Sequence, residues 1–330
     1  MYSFYSWDAR GFLADRLKYA LQDETLFNSL PPELQKKARG IIILELVTLF
    51  CQSAEDLAAF GISFAAELYR DSVSPADVWK RLAEYDTGQI DDFYKYIQKR
   101  GPEYFANLRG YPPLRLQRVD AKRILLRSCK QLAAYLSLIT EAYSNLLPVY
   151  YAYKHGMRIF FATLKEGPTE IPVIIYIDRD TRLKSIAFPT ELIEQLYNLC
   201  TNSGVILGGM LKWHEFRLQV MKSGRLPSPA MPVFGVSSDD VRDLGTLVFP
   251  NLFDLRKHMI SQGDRIATKL KAELRKVPPG EIVAIDIDAE EILPYHGYQV
   301  DDVIWKAMKI RPGARLVFRR VSKDGKVGPY

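Results

Sequence analysis

A chain of 330 residues exceeds what one hydrophobic core usually serves, so two domains, or three, are expected. With 48% apolar and 25% charged residues it is neither disordered nor fibrous. Its 45 basic and 39 acidic residues leave a formal charge of +6, an excess that permits an anionic or nucleic-acid partner without demanding one.

Cys51, Cys129 and Cys200 lie far apart in apolar helical patterns, with no C-x-x-C pair, and read as reduced core thiols of a cytoplasmic protein. The opening residues, Met1 to Asp8, lack the basic start and continuous apolar run of a signal peptide. The most apolar stretch, Ile41 to Phe50, is interrupted by Glu45 and Thr48 and is only about half the length that spans a bilayer. No membrane partner is expected.

Residues 6–28 have helical spacing (Trp7, Leu13, Leu17, Leu21), and Ser29 to Glu33, with two prolines, reads as a helix stop and a new start. The second helix is expected from about Glu33 to Asp71. Lys37, Glu45, Thr48, Gln52, Glu55 and Asp56 share one polar stripe on it, and the apolar remainder is wide enough for the inside of a bundle. Glu45 is a candidate partner for Lys154 or Arg127, but its polar stripe points to an exposed or groove-lining role. A short helix at about 74–85 and another at about 90–100 follow; Gly101-Pro102 and Gly110 to Pro113 then bracket a segment read as loop.

From Leu114 a long helix is expected, with a core stripe of Leu114, Ala121, Leu125, Ser128, Leu132, Leu136, Ile139, Tyr143 and Leu146. Its opposite half carries Arg115, Arg118, Lys122, Arg123, Arg127 and Lys130, with Asp120 the one acid among them. These cations would attract phosphate; the plainer alternative is a solvated face neutralised by neighbouring acids. Pro148 kinks the helix or forces a restart. After Gly156 the period changes to two, and runs at 159–164, 172–178 and 183–188 predict a three-stranded meander. A helix from about Pro189 to Lys222 is weakened by Gly204 and Gly208-Gly209, and a Pro-rich segment, a short strand near 247–249 and a helix at about 252–276 follow. Beyond Val277-Pro-Pro-Gly280 the pattern is strand, strand, helix, strand.

His155, followed by Gly156, would sit in the last helical turn, where the helix dipole favours the imidazolium and Lys154 opposes it. With Arg158 nearby the cluster could bind phosphate and move a proton in RNA cleavage, or simply cap free carbonyls. His155, His214, His258 and His296 lack metal-ligand spacing, so no metal and no cofactor are expected. Asp286 and Asp288, two apart on an expected strand, more readily mark the wet end of a hairpin than a Mg²⁺ site.

A bundle whose long helix ends in Tyr151-x-Tyr153-Lys154-His155-Gly156-x-Arg158, followed by a strand insertion and another helix, resembles divergent members of the HEPN (higher eukaryotes and prokaryotes nucleotide-binding) superfamily. The likeness covers about residues 1–225, and its specific part is Tyr151 to Arg158. It implies a homodimer and, in active members, a metal-independent ribonuclease built on an arginine a few residues before a histidine. Here Pro148, Val149, Tyr150 and Tyr151 stand where that arginine belongs. The resemblance therefore implies a non-catalytic bundle, or one using Lys154 or Arg158 differently. Residues 280–321 similarly resemble a short module of unknown function in bacterial and archaeal proteins, with Gly280 to Asp286 as its opening strand.

The resulting expectation is an α+β, mostly α protein. Residues 1–225 form a helical bundle with a β-meander at about 158–188, residues 226–276 a linker and connecting helix, and residues 277–330 a small ββαβ module. The expected function is that of a non-catalytic interaction or regulatory protein of bacterial or archaeal type, a homodimer that contacts RNA or another protein through the basic helix face. The alternative is a divergent ribonuclease using His155 with Lys154 or Arg158.

Overall fold

The computed structural model describes residues 7–67, 87–155, 159–167, 169–178, 180–223, 233–235, 247, 252–311 and 315–330. The expected helix at 74–85 lies outside these residues, as do Arg158 and nearly all of the Pro-rich segment and the 247–249 strand. The fold is mostly helical α+β, with two antiparallel sheets of three and four strands. It forms two compact units, Met1–Leu57 with Tyr135–Gly208, and Ala58–Ala134 with Gly209–Tyr330.

The first unit begins with α1 (Trp7–Gln22) and α2 (Glu24–Asn28). One helix was expected here. The Asp23 carboxylate instead accepts hydrogen bonds from the Thr25 and Leu26 amides, at 3.0 and 3.3 Å, capping a new start and dividing the two. The first part of α3 (Pro32–Glu67) follows, with Ile43, Leu46, Val47 and Phe50 fully buried. Its polar stripe is partly covered. Arg10 of α1 donates to Gln52 at 3.0 Å and pairs with Asp56 at 2.5 Å, while Glu45 stays exposed.

Strands β1 (Ile159–Glu166), β2 (Thr169–Ile177) and β3 (Leu183–Ala187) form the predicted meander in the order β1-β2-β3. Gly167, at φ +63°, supplies the left-handed residue of the first turn. Because antiparallel partners share a face, Phe161 and Ile174 point together, and that face packs on α3. Phe161 lies against Gly40, where a Cβ would collide with its ring, and Lys36 reaches Thr163 Oγ1 at 3.2 Å.

In the second unit, α4 (Thr87–Ile97) is followed by α5 (Pro102–Arg109) in the segment expected to be a loop. The same punctuation serves a helix. Pro102 occupies its first position, where no amide hydrogen bond is lost, and Gly110, at φ +86°, ends it. After a 3₁₀ turn at Leu114–Leu116 comes α6 (Val119–Lys154), which belongs to this unit as far as Ala134 and to the first unit from Tyr135 on, and which runs through Pro148 without interruption. Every member of the predicted core stripe is buried, from Leu114 to Leu146. The next long helix, α7 (Thr190–Ser223), is also continuous across its glycines.

The C-terminal sheet has the order β5-β4-β6-β7, from β4 (Ile282–Asp286), β5 (Glu291–Gly297), β6 (Leu316–Val321) and β7 (Val327–Gly328). Helix α10 (Val300–Ile310) packs Val303, Ile304 and Ala307 against Ile282, Ala284, Leu293 and Phe318 on one face. The opposite face meets α8 (Leu252–Lys269) and α9 (Lys271–Leu274) through Ile266, Ala267 and Leu274 against Val283, Ile285 and Val317. The helix expected to be a connector is thus a second packed layer. Strand β4 ends at Asp286, and Asp288 lies in the following turn, so the two carboxylates do not form the strand pair considered for a metal. Asp286 Oδ1 instead accepts the amides of Asp288 and Ala289 at 2.9 and 3.1 Å.

Candidate nucleic-acid interface

Arg115, Arg118, Lys122, Arg123, Arg127 and Lys130 are all exposed, and all belong to the second unit. Their placement follows from helical period. Ala121, Leu125, Ser128 and Leu132 turn inward, and the intervening positions must turn out. From Arg118 to Lys130 the helix advances by about 18 Å at 1.5 Å per residue. That spans about five phosphates of one strand at 3.4 Å each.

The buried side holds this face in place. Tyr111, fully buried, has its hydroxyl 2.8 Å from Ser128 Oγ and accepts the Phe234 amide at 3.1 Å. Glu103 accepts the amides of Leu114 and Arg115, at 3.3 and 3.1 Å, fixing the approach to α6.

Acids offset only part of the positive charge. Arg123 pairs with Asp120 at 3.2 Å, both side chains mostly exposed, an arrangement worth little in water. Near Arg115, Asp288 is bonded by Arg315 through Nε at 2.8 Å. Burial of Asp288 works against its charge, yet the Arg315 bonds, helped by the positive field of Arg315 and Arg115, hold its carboxyl below the usual range. Arg118, Lys122 and Lys130 have no acidic partner among the described residues.

Lys154 and His155 stand at the end of α6, in the first unit, while Arg158 lies outside the described residues. Both are exposed. The His155 amide donates to the Tyr151 carbonyl at 3.0 Å, and its ring lies 6.0 Å from that of Tyr151. Lys154 Nζ sits 5.5 Å from the Tyr150 ring centroid, a cation–π contact.

The group beside Lys154 that sequence reading missed is Glu55. Only 7% exposed, it accepts the Tyr150 hydroxyl at 3.4 Å on Oε2. Burial raises its pKa above the ordinary carboxylate range; the Lys154 charge and the hydroxyls of Tyr150 and Tyr143 pull the other way without cancelling it. Glu55 was visible as part of a polar stripe, but nothing in the stripe distinguished its buried position from exposed Glu45. Among the described residues no group of three or more His, Cys, Asp or Glu is arranged to hold a metal.

The fold and this face together define a mostly helical α+β protein with an exposed cationic helix surface. No family model, curated protein or solved structure matches the chain. Among the described residues, no helix is long and apolar enough to cross a membrane.

Proposed function

We propose that the protein is a non-catalytic intracellular interaction or regulatory protein that binds the phosphate backbone of RNA along the basic face of α6. The observation that carries this reading is the row of exposed cations on one helix within one compact unit, with Arg118, Lys122 and Lys130 unneutralised among the described residues. Such a face contacts backbone rather than base edges, so sequence preference should be slight. A homodimer would present two faces and gain avidity without new contacts.

The test is retention of a mixed RNA pool over a salt series, with Arg118→Glu/Arg127→Glu and His155→Ala alongside wild type. Binding should weaken with salt, with a log–log slope no steeper than about −4 if all six cations each neutralise a phosphate of a single strand. The charge-reversed variant should lose retention, and His155→Ala should retain RNA as wild type does. RNA cleavage that disappears in His155→Ala would instead establish the ribonuclease reading with Lys154 or Arg158. Absence of retention at low salt would leave the cations as a solvated surface.

A further inference from the structure

The C-terminal sheet carries a second cationic surface within the same unit as the basic face of α6. Gly325, at φ +74°, turns β6 into β7 and lies against α9, where a Cβ would stand 2.8 Å from Arg275 Cγ and 3.4 Å from the Lys271 carbonyl. Lys271 and Arg275, four residues apart on helical backbone, therefore flank the turn that carries Lys323 and Lys326. Lys276 follows directly. Lys271 is half-buried and the other four are exposed.

The acids of these segments are Glu273, Glu281 and Asp324. Asp324 accepts the Ser322 hydroxyl at 2.6 Å and pairs with Lys326 at 2.9 Å, so Lys326 is already neutralised. Glu281 is bound to His296. Glu273 is exposed but stands about 200° round α9 from Lys271 at 100° per residue. The last residue, Tyr330, packs in the α10 layer on the opposite side of the sheet. Lys271, Arg275, Lys276 and Lys323 have no acidic partner among the described residues. Free carbonyls at a helix end attract cations, which accounts for Arg275 and Lys276. They do not account for Lys271 at the start of α9 or for Lys323 on a sheet turn. The charge of the two units differs in the same sense: the first holds more acidic than basic residues, so the second carries the whole positive excess of the chain.

We propose that Lys271, Arg275, Lys276 and Lys323 form a second site for the phosphate backbone of RNA, separate from the α6 face, so that one chain holds two segments of RNA. The identity of the ligand rests on the RNA-binding reading above; the site rests on its own cations. The field of Arg115 reaches Asp288, just past one end of β4, whereas Gly280 at the other end donates its amide to Val321 at 2.8 Å, beside the β6–β7 turn. The strand between them separates the two surfaces by about 20 Å. Four cations hold phosphate less tightly than six, so retention of RNA from a pool still depends on α6.

The test is equilibrium dialysis of the full chain against 5′-phosphorylated tetraadenylate at low salt. Its end phosphates lie about 10 Å apart when stacked, so one oligonucleotide occupies one surface. Wild type should bind two. Lys271→Glu/Lys323→Glu should bind one, the other site weakened at least tenfold, with an unchanged thermal midpoint because the bonds among Ser322, Asp324 and Lys326 remain. Arg118→Glu/Arg127→Glu should also bind one, and the four substitutions together none. Undiminished binding by Lys271→Glu/Lys323→Glu overturns this proposal and leaves the α6 reading in place, as does a wild type that binds one oligonucleotide and loses it with Arg118→Glu/Arg127→Glu. Loss of a site in Lys271→Glu/Lys323→Glu, with no effect of Arg118→Glu/Arg127→Glu, supports this site and removes the α6 reading. A wild type that binds none overturns both.

Discussion

The Tyr150 hydroxyl donates to Glu55 Oε2 across 3.4 Å, tying the last turns of α6 to α3 around a carboxyl that burial holds above its ordinary pKa. Asp56 beside it is also raised by burial, against the opposing charge of Arg10. Each carboxyl protonates more readily folded than unfolded. Its contribution to stability is therefore complete below the unfolded value, about 4.3 for a glutamate, and is lost as pH rises through the higher folded value. Glu55→Gln keeps an acceptor for Tyr150 and carries no charge. It should exceed wild type in stability at neutral pH by about 1 kcal/mol, on the scale of an imperfectly satisfied buried polar group, and lose that advantage below about pH 4. Urea midpoints of both proteins at the two pH values decide this; a variant weaker than wild type at neutral pH would show that the ionised carboxylate is stabilising.

Gly209 and Gly11 are both helical glycines, and they should respond oppositely to alanine. A Cβ at Gly209 would strike the guanidinium of Arg109, which is 1% exposed. The guanidinium is enclosed, with the Phe234 ring centroid 5.8 Å away, so it cannot swing aside into solvent. Nothing lies within 4 Å of a Cβ at Gly11. Gly11→Ala should stabilise by about 0.5–1 kcal/mol through helix propensity. Gly209→Ala should destabilise by about 1–3 kcal/mol despite the same propensity gain, because overpacking outweighs it. Equilibrium denaturation of the two variants is the measurement.

Periodicity carried most of the fold. The core stripe of α6 and the strands of the meander could be read directly because each places apolar residues at one spacing on one face. Local signals with two meanings misled. Gly101-Pro102 and Gly110 punctuate loops and helices alike, and α5 fills the interval. Asp23 caps a helix inside a pattern that looks continuous. The basic face was legible because exposure of its six cations follows from burial of the opposite side. Glu55 was not, since which side of a polar stripe becomes buried depends on packing by distant residues, here Tyr143 and Tyr150. The half-buried strands of the meander were equally silent about which face α3 covers, a choice fixed by Gly40 admitting Phe161.

The three thiols should be inert in the native protein. Cys51, Cys129 and Cys200 are at most 1% exposed. Burial pushes the Cys129 and Cys200 thiols up to about 12 and Cys51 well above its ordinary value, so almost no thiolate exists at neutral pH. An aromatic disulfide reagent should titrate no thiol in the native state and all three in denaturant. Rapid labelling of even one native thiol would mean that its surroundings open readily.

Arg319 and Asp264 join β6 to α8 by two parallel hydrogen bonds, Nε to Oδ1 at 2.7 Å and Nη2 to Oδ2 at 3.0 Å. The approach is close because Gly263 faces Val317, where a Cβ would stand 3.0 Å away. The Arg319 side chain is 11% exposed and that of Asp264 41%, so removing the carboxylate leaves a nearly buried cation without its forked partner. Asp264→Ala should cost about 1–3 kcal/mol, whereas Asp288→Ala, whose partner Arg315 is more exposed, should cost under about 1 kcal/mol. Hydrogen exchange distinguishes a local from a global effect: if α8 is the second layer of the C-terminal sheet, its amides and those of β6 should lose protection together in Asp264→Ala. Loss confined to α8, with β4 and β6 protected as in wild type, would show that the sheet is held by α10 alone.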